Sequence, residues 1–124
     1  MLKTSLLLLT LATVSLSTTP ININSVEFTT SSKLYVAENI KTICQIQTDN
    51  ITNIKYNIIG GKDKNKFTIN PSTGDLSFLQ NQNYESPLDS DLNNKYEVII
   101  GLNKDMEMVN KKQFIITVLD IVEI

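Results

Sequence analysis

The chain has 124 residues, a length that fits one domain, and 11 Lys+Arg against 13 Asp+Glu give a formal charge of −2. It has no Arg and no basic stripe, which excludes the electrostatic footprint of nucleic-acid binding. It has no His, which removes Ser-His-Asp and Cys-His catalysis and His-rich zinc sites, and its single Cys, Cys44, rules out an internal disulfide.

The first stretch reads as an export signal. Met1-Leu2-Lys3 is a short positive start, residues 5–16 are almost wholly apolar, and Ser15-Leu16-Ser17 offers small residues at the spacing a signal peptidase reads. The apolar run is shorter than the roughly 20 residues a membrane-spanning helix needs. A domain core would interrupt such a run with polar residues. The expected organisation is therefore a signal peptide at 1–17, a short N-terminal extension at 18–24 and one domain at 25–124. Such a leader implies export to the periplasm, the cell surface or the medium, with any membrane association indirect.

Beyond the leader, short β-branched segments broken by turn residues predict strands throughout. Val26 and Phe28, then Leu34 and Val36, make a split first strand. Cys44, Ile46 and Thr48 alternate with Gln45 and Gln47, a period of two. Ile54, Tyr56 and Ile58 repeat the pattern until Gly60-Gly61 stops it. Phe67 and Ile69 form a brief strand ending at Asn70-Pro71, and Leu76 and Phe78 follow the turn Ser72-Thr73-Gly74-Asp75. Residues 80–94 are polar, hold Pro87 and read as a long loop. Tyr96, Val98, Ile100 and Leu102 then alternate, Asn103-Lys104-Asp105 opens a hairpin, and Phe114, Ile116 and Val118 close the domain. Seven such strands, with no helix, predict an all-β, seven-stranded Greek-key β-sandwich.

Cys44 falls on the apolar phase of its strand and reads as a small hydrophobe, not a reactive thiol. A paired-carboxylate hydrolase needs only two acids, but a sandwich of this size implies no large concave site. Binding is therefore expected rather than catalysis. What remains is a set of oxygen ligands at strand ends and in loops: Glu38, Glu85, Asp89, Asp91, Asn93, Asp120 and Glu123. Each alone reads as a solvated loop residue. As a set they offer the carboxylate oxygens that calcium takes six to eight at a time. Asp89-x-Asp91-x-Asn93 spaces oxygens at alternate positions, as calcium loops do, but Asn94 and Ile100 stand where an EF-hand needs Gly and Glu.

Several stretches, in order, match one family. Val36-Ala37-Glu38-Asn39 is similar to an early Glu-Asn motif, and residues 54–61 to a third strand with its turn. Phe67-Thr68-Ile69-Asn70 with Ser72-Thr73-Gly74-Asp75-Leu76 resembles an F-x-I-D…T-G-x-L signature. Asn83-Tyr84-Glu85 resembles D-Y-E, residues 87–96 resemble P-x-D-x-D-x-x-N-x-Y, and Leu119-Asp120-Ile121-Val122-Glu123 resembles a closing D-V-N-D linker. Residues 26–123 thus resemble a single cadherin repeat, particularly the bacterial cadherin-like kind.

The resemblance implies a calcium-binding adhesion module, with calcium held between consecutive repeats and a protein partner that is another cadherin-like domain, homophilic or heterophilic. Carried over by position, the implied ligands are Glu38, Glu85, Asp120 and Glu123; the spacing of Asp89, Asp91 and Asn93, read on its own, adds a second loop site. The family's D-x-D position reads Thr48-Asp49-Asn50-Ile51 here, and Val122 and Ile124 replace the closing Asn ligands. Calcium binding is therefore expected to be weak, roughly millimolar. Two alternatives stand beside this reading. One is a calcium-independent periplasmic interaction or carbohydrate-binding sandwich. The other is a single-repeat fragment of a larger adhesin.

Overall fold

Alternation along the chain decides which residues pair and which fill the interior. The structure, a computed structural model, describes residues 25–50 and 52–122. The expected signal peptide, the extension and Glu123 lie outside the described residues. Among the described residues there are seven strands: β1 (Lys33–Ala37), β2 (Thr42–Gln45), β3 (Ile54–Gly60), β4 (Phe67–Ile69), β5 (Asp75–Phe78), β6 (Lys95–Lys104) and β7 (Glu107–Leu119). They form a four-stranded sheet ordered β1-β7-β6-β3 and a three-stranded sheet ordered β2-β5-β4. The predicted all-β sandwich is the architecture found.

The longest ladder is β6 with β7. Tyr96, Val98, Ile100 and Leu102 from β6, and Phe114, Ile116 and Val118 from β7, all turn inward. They share one buried cluster with Ile54, Tyr56, Phe67, Leu76 and Phe78. Each such side chain contributes roughly 1.5–3 kcal/mol by leaving water. Phe67 stacks on Phe78 at 4.9 Å, and Tyr96 meets Phe78 edge-on at 5.0 Å. The Tyr96 hydroxyl is not orphaned by this burial: it donates to Gln82 Oε1 at 2.7 Å and accepts from Leu88 N–H at 3.0 Å. The long 80–94 loop is thereby tied to the core.

Four details differ from the sequence reading. The first half of the split strand is not a strand. Val26 is fully buried, but Phe28 makes only an isolated bridge to Thr48, so the ladder begins at Lys33. The second strand ends at Gln45, because Ile46 N–H turns away to Gly74 O at 2.8 Å. Gly74 (φ 80°) permits this approach, since a Cβ there would sit 2.7 Å from the Ile46 oxygen. The last hairpin is longer than expected: β7 starts at Glu107, after the two-residue turn Asp105-Met106, both left-handed (φ 51° and 68°) as a type I′ turn requires. A three-residue 3-10 turn, Lys64–Lys66, leads into β4.

The pairing that positions the candidate site is β1 with β7. They run parallel, in register from Lys33↔Ile115 to Ala37↔Leu119. The two strands therefore end at the same pole of the sandwich.

Candidate metal centre

Glu38 follows β1 and Asp120 follows β7, so the register Ala37↔Leu119 makes them neighbours. Glu38 N–H extends the ladder by one bond, to Leu119 O at 3.0 Å. Glu85 arrives from the long loop. The connection is the Glu38 carboxylate itself: Oε1 accepts from Tyr84 N–H at 3.0 Å and Oε2 from Ile121 N–H at 3.1 Å. Glu38 is buried while Glu85 and Asp120 are exposed, and one oxygen from each of the three lies within 4.8 Å of the others. Two oxygens bound to one calcium at about 2.4 Å each stand at most about 4.8 Å apart, so the donor set fits a shared calcium.

The Glu38 carboxyl is held below its ordinary value of 4.5. The Ile121 N–H is the main cause and the Tyr84 N–H the next, and together they outweigh the opposing effect of burial. The Glu38 carboxylate is thus ionised at neutral pH and fixed by main-chain donors, beside the exposed Glu85 and Asp120.

Asp89, Asp91 and Asn93 stand apart from this cluster. Asp89 is buried and accepts from Asn93 N–H at 2.9 Å and from Asn94 N–H at 2.8 Å. Asn93 Nδ2 donates to Asp91 at 3.2 Å, and Asn93 Oδ1 accepts from Lys95 N–H at 2.9 Å. These side chains fasten their own loop. Burial raises the Asp89 carboxyl, but bonds from Asn93 N–H, the Asp91 carboxyl and Asn94 N–H outweigh it and hold the group below its ordinary value. Asp91 is pushed up, first by that bond to Asp89 and then by burial.

Sequence reasoning missed three buried polar side chains that tie down the 80–94 loop. Asp63 accepts from Ser90 N–H at 2.6 Å and Glu97 N–H at 2.9 Å, joining the turn after β3 to the loop. Gln82 receives the Tyr96 hydroxyl, and Asn94 Nδ2 donates to Tyr84 O at 2.9 Å. All three read as ordinary loop residues. Cys44 is half-buried beside the core, and burial, with the charge of Asp75 second, pushes its thiol up.

The fold and the acidic pole define a two-sheet β-sandwich module with a candidate cation centre where its first and last strands end. A family model for the cadherin domain matches residues 30–119, and the chain belongs to that family. The third cadherin domain of human protocadherin 7 superposes with a TM-score of 0.64 at 18% identity, over 85% of this chain and 94% of that one. Human protocadherin-24 EC1-2 gives 0.61 at 13% identity, over 77% and 43%, and Drosophila N-cadherin EC1-3 gives 0.58 at 12% identity, over 77% and 33%. The chain thus spans less than half the length of the last two structures. A search of curated proteins returns no match. Cadherin domains form an extracellular, non-enzymatic family that mediates protein–protein contact. Among the described residues no helix is long and apolar enough to cross a membrane.

Proposed function

We propose that this domain is an exported, non-catalytic adhesion or protein-contact module that binds calcium at the pole formed by Glu38, Glu85 and Asp120. The observation that carries the reading is the convergence of those three carboxylates to within 4.8 Å from three distant stretches of chain. Convergence of like charge is unfavourable unless a cation or hydrogen-bond donors offset it. Glu38 has its donors in Tyr84 and Ile121, and calcium would supply the offset for the set. Asn83 Oδ1 accepts the Glu85 N–H at 3.0 Å and so steadies the approach of Glu85. With three carboxylates among the described residues, binding is expected near the roughly millimolar end of the range for extracellular modules. Glu123 adjoins the centre in sequence and is a further candidate ligand. Residues 1–17 would direct export, and the partner would be a second cadherin-like domain meeting this pole.

Thermal unfolding in excess EDTA, and then with calcium, tests the reading. A ligand that binds only the folded state raises the midpoint by mass action. Calcium at about ten times Kd should give a rise of about 5–10 °C. The rise should vanish in the double variant E85A/D120A. An equal midpoint with and without calcium in the unaltered chain would refute calcium binding.

A further inference from the structure

The candidate ligands approach from separate segments, and their charges favour keeping them apart. Glu38 draws two of those segments together through its own carboxylate. A second connection carries no charge and runs through Asn94, which sits immediately before β6. Asn94 is buried and left-handed, with φ 66°. Its N–H donates to Asp89 Oδ1 at 2.8 Å. Its main-chain carbonyl accepts from Val118 N–H at 2.9 Å, two residues before Asp120. Its side-chain Nδ2 donates to the carbonyl of Tyr84 at 2.9 Å, one residue before Glu85. One residue therefore fastens both exposed ligand arms to the closed 89–94 turn.

The residue type needs a reason. The left-handed backbone alone would be served by Gly, which has no polar side chain to desolvate. Asn94 instead buries an Oδ1 that has no hydrogen-bond partner. A buried unsatisfied oxygen opposes folding. What the amide supplies in return is the single bond to Tyr84.

We propose that Asn94 is a positioning residue of the calcium centre, one that fixes the separation of Glu85 and Asp120 before the ion arrives. The inference rests on the calcium reading of Glu38, Glu85 and Asp120. Residues that orient metal ligands from behind alter affinity by about 10–100-fold when removed. Asn94 belongs to that class: it touches no ligand oxygen, and it holds the main chain on either side of the pair.

The test compares the unaltered full chain with N94G by calorimetric titration with calcium chloride, and by amide hydrogen exchange in EDTA. N94G retains the left-handed backbone and removes only the side chain. The expected result is calcium affinity about 10-fold weaker. Faster exchange is also expected at the Tyr84 amide, which donates to Glu38, while β6 and β7 keep their protection. A general structural role would lower protection throughout. Equal affinity with unchanged Tyr84 exchange would overturn the proposal, and so would a uniform loss of protection. If N94G does not fold, N94D keeps the size and the left-handed preference while replacing the donor with an acceptor, and the same two readouts apply. If the unaltered chain binds no calcium, the functional reading falls, and exchange alone decides. Selective loss at Tyr84 would then sustain Asn94 as the fastener of this loop, and unchanged exchange would overturn it.

Discussion

Glu38 and Asp89 are both buried carboxylates, and each accepts two main-chain N–H bonds. The donors to Asp89 lie four and five residues away, while the donors to Glu38 lie 46 and 83 residues away. The same chemistry thus does different things in the two regions. In the loop it closes a local ring, with the Asp91 carboxyl the one further acid drawn against it. At the pole it gathers the ends of distant segments, and two further acids arrive with them. The closely spaced Asp89-x-Asp91-x-Asn93 closes a turn. The convergence of Glu38, Glu85 and Asp120 is produced by pairing between segments that are far apart in the chain.

The largest test of this contrast is D89A. It leaves the buried Asn94 N–H and the part-buried Asn93 N–H without their acceptor, and the expected loss is about 2–3 kcal/mol in a denaturant melt. A loss under about 0.5 kcal/mol would mean that the loop closes without its carboxylate. Acid is the next lever. Asp89 is held below its ordinary 3.8, so its contribution to stability is present above that value. That contribution is lost as pH falls through the lower folded value. Stability should therefore drop below about pH 4, and D89N should flatten that drop. An equally steep drop in D89N would assign it elsewhere, Glu38 being the first candidate.

At the pole the sign should reverse. Without calcium, D120N removes one of three converging charges, and the melting midpoint is expected to rise by about 1–3 °C rather than fall. A fall would show that Asp120 is held by donors, as Asp89 is, and the distinction between the two regions would collapse. The smallest effect belongs to Leu92, an exposed residue in the left-handed region (φ 59°). Relief of side-chain strain in L92G exceeds the entropy of the added Gly by about 0.5 kcal/mol, a small gain that a urea midpoint resolves.

Much of this was legible from residue order. Tyr96 through Leu102 and Phe114 through Val118 alternate without interruption, and both halves of that hairpin form. Their inward phase also predicts the core correctly. Val26 misled because it is buried without being paired: packing and laddering are separate demands, and apolar character reports only the first. The early start of β7 was hidden because residues 107–112 are mostly polar and pair on the rim of the sheet. The placement of Glu38 beside Asp120 followed from family resemblance alone, since nothing in local composition announces parallel pairing of the first strand with the last. Asp63, Gln82 and Asn94 were illegible for a related reason. Their burial arises when a polar loop folds back over strands it does not adjoin in sequence, and no short window of residues contains that event.

The parallel pairing of β1 with β7 has a mechanical consequence. Five register pairs, from Lys33↔Ile115 to Ala37↔Leu119, join the two strands. Because the strands point the same way, tension applied at the start of β1 and the end of β7 pulls along the ladder, not across it. All of its hydrogen bonds are then loaded together and must yield in shear, whereas an antiparallel hairpin pulled at its open end would unzip one bond at a time. The same geometry that gathers the acids at one pole makes the domain stiffest along the line on which an adhesive tether would be stretched.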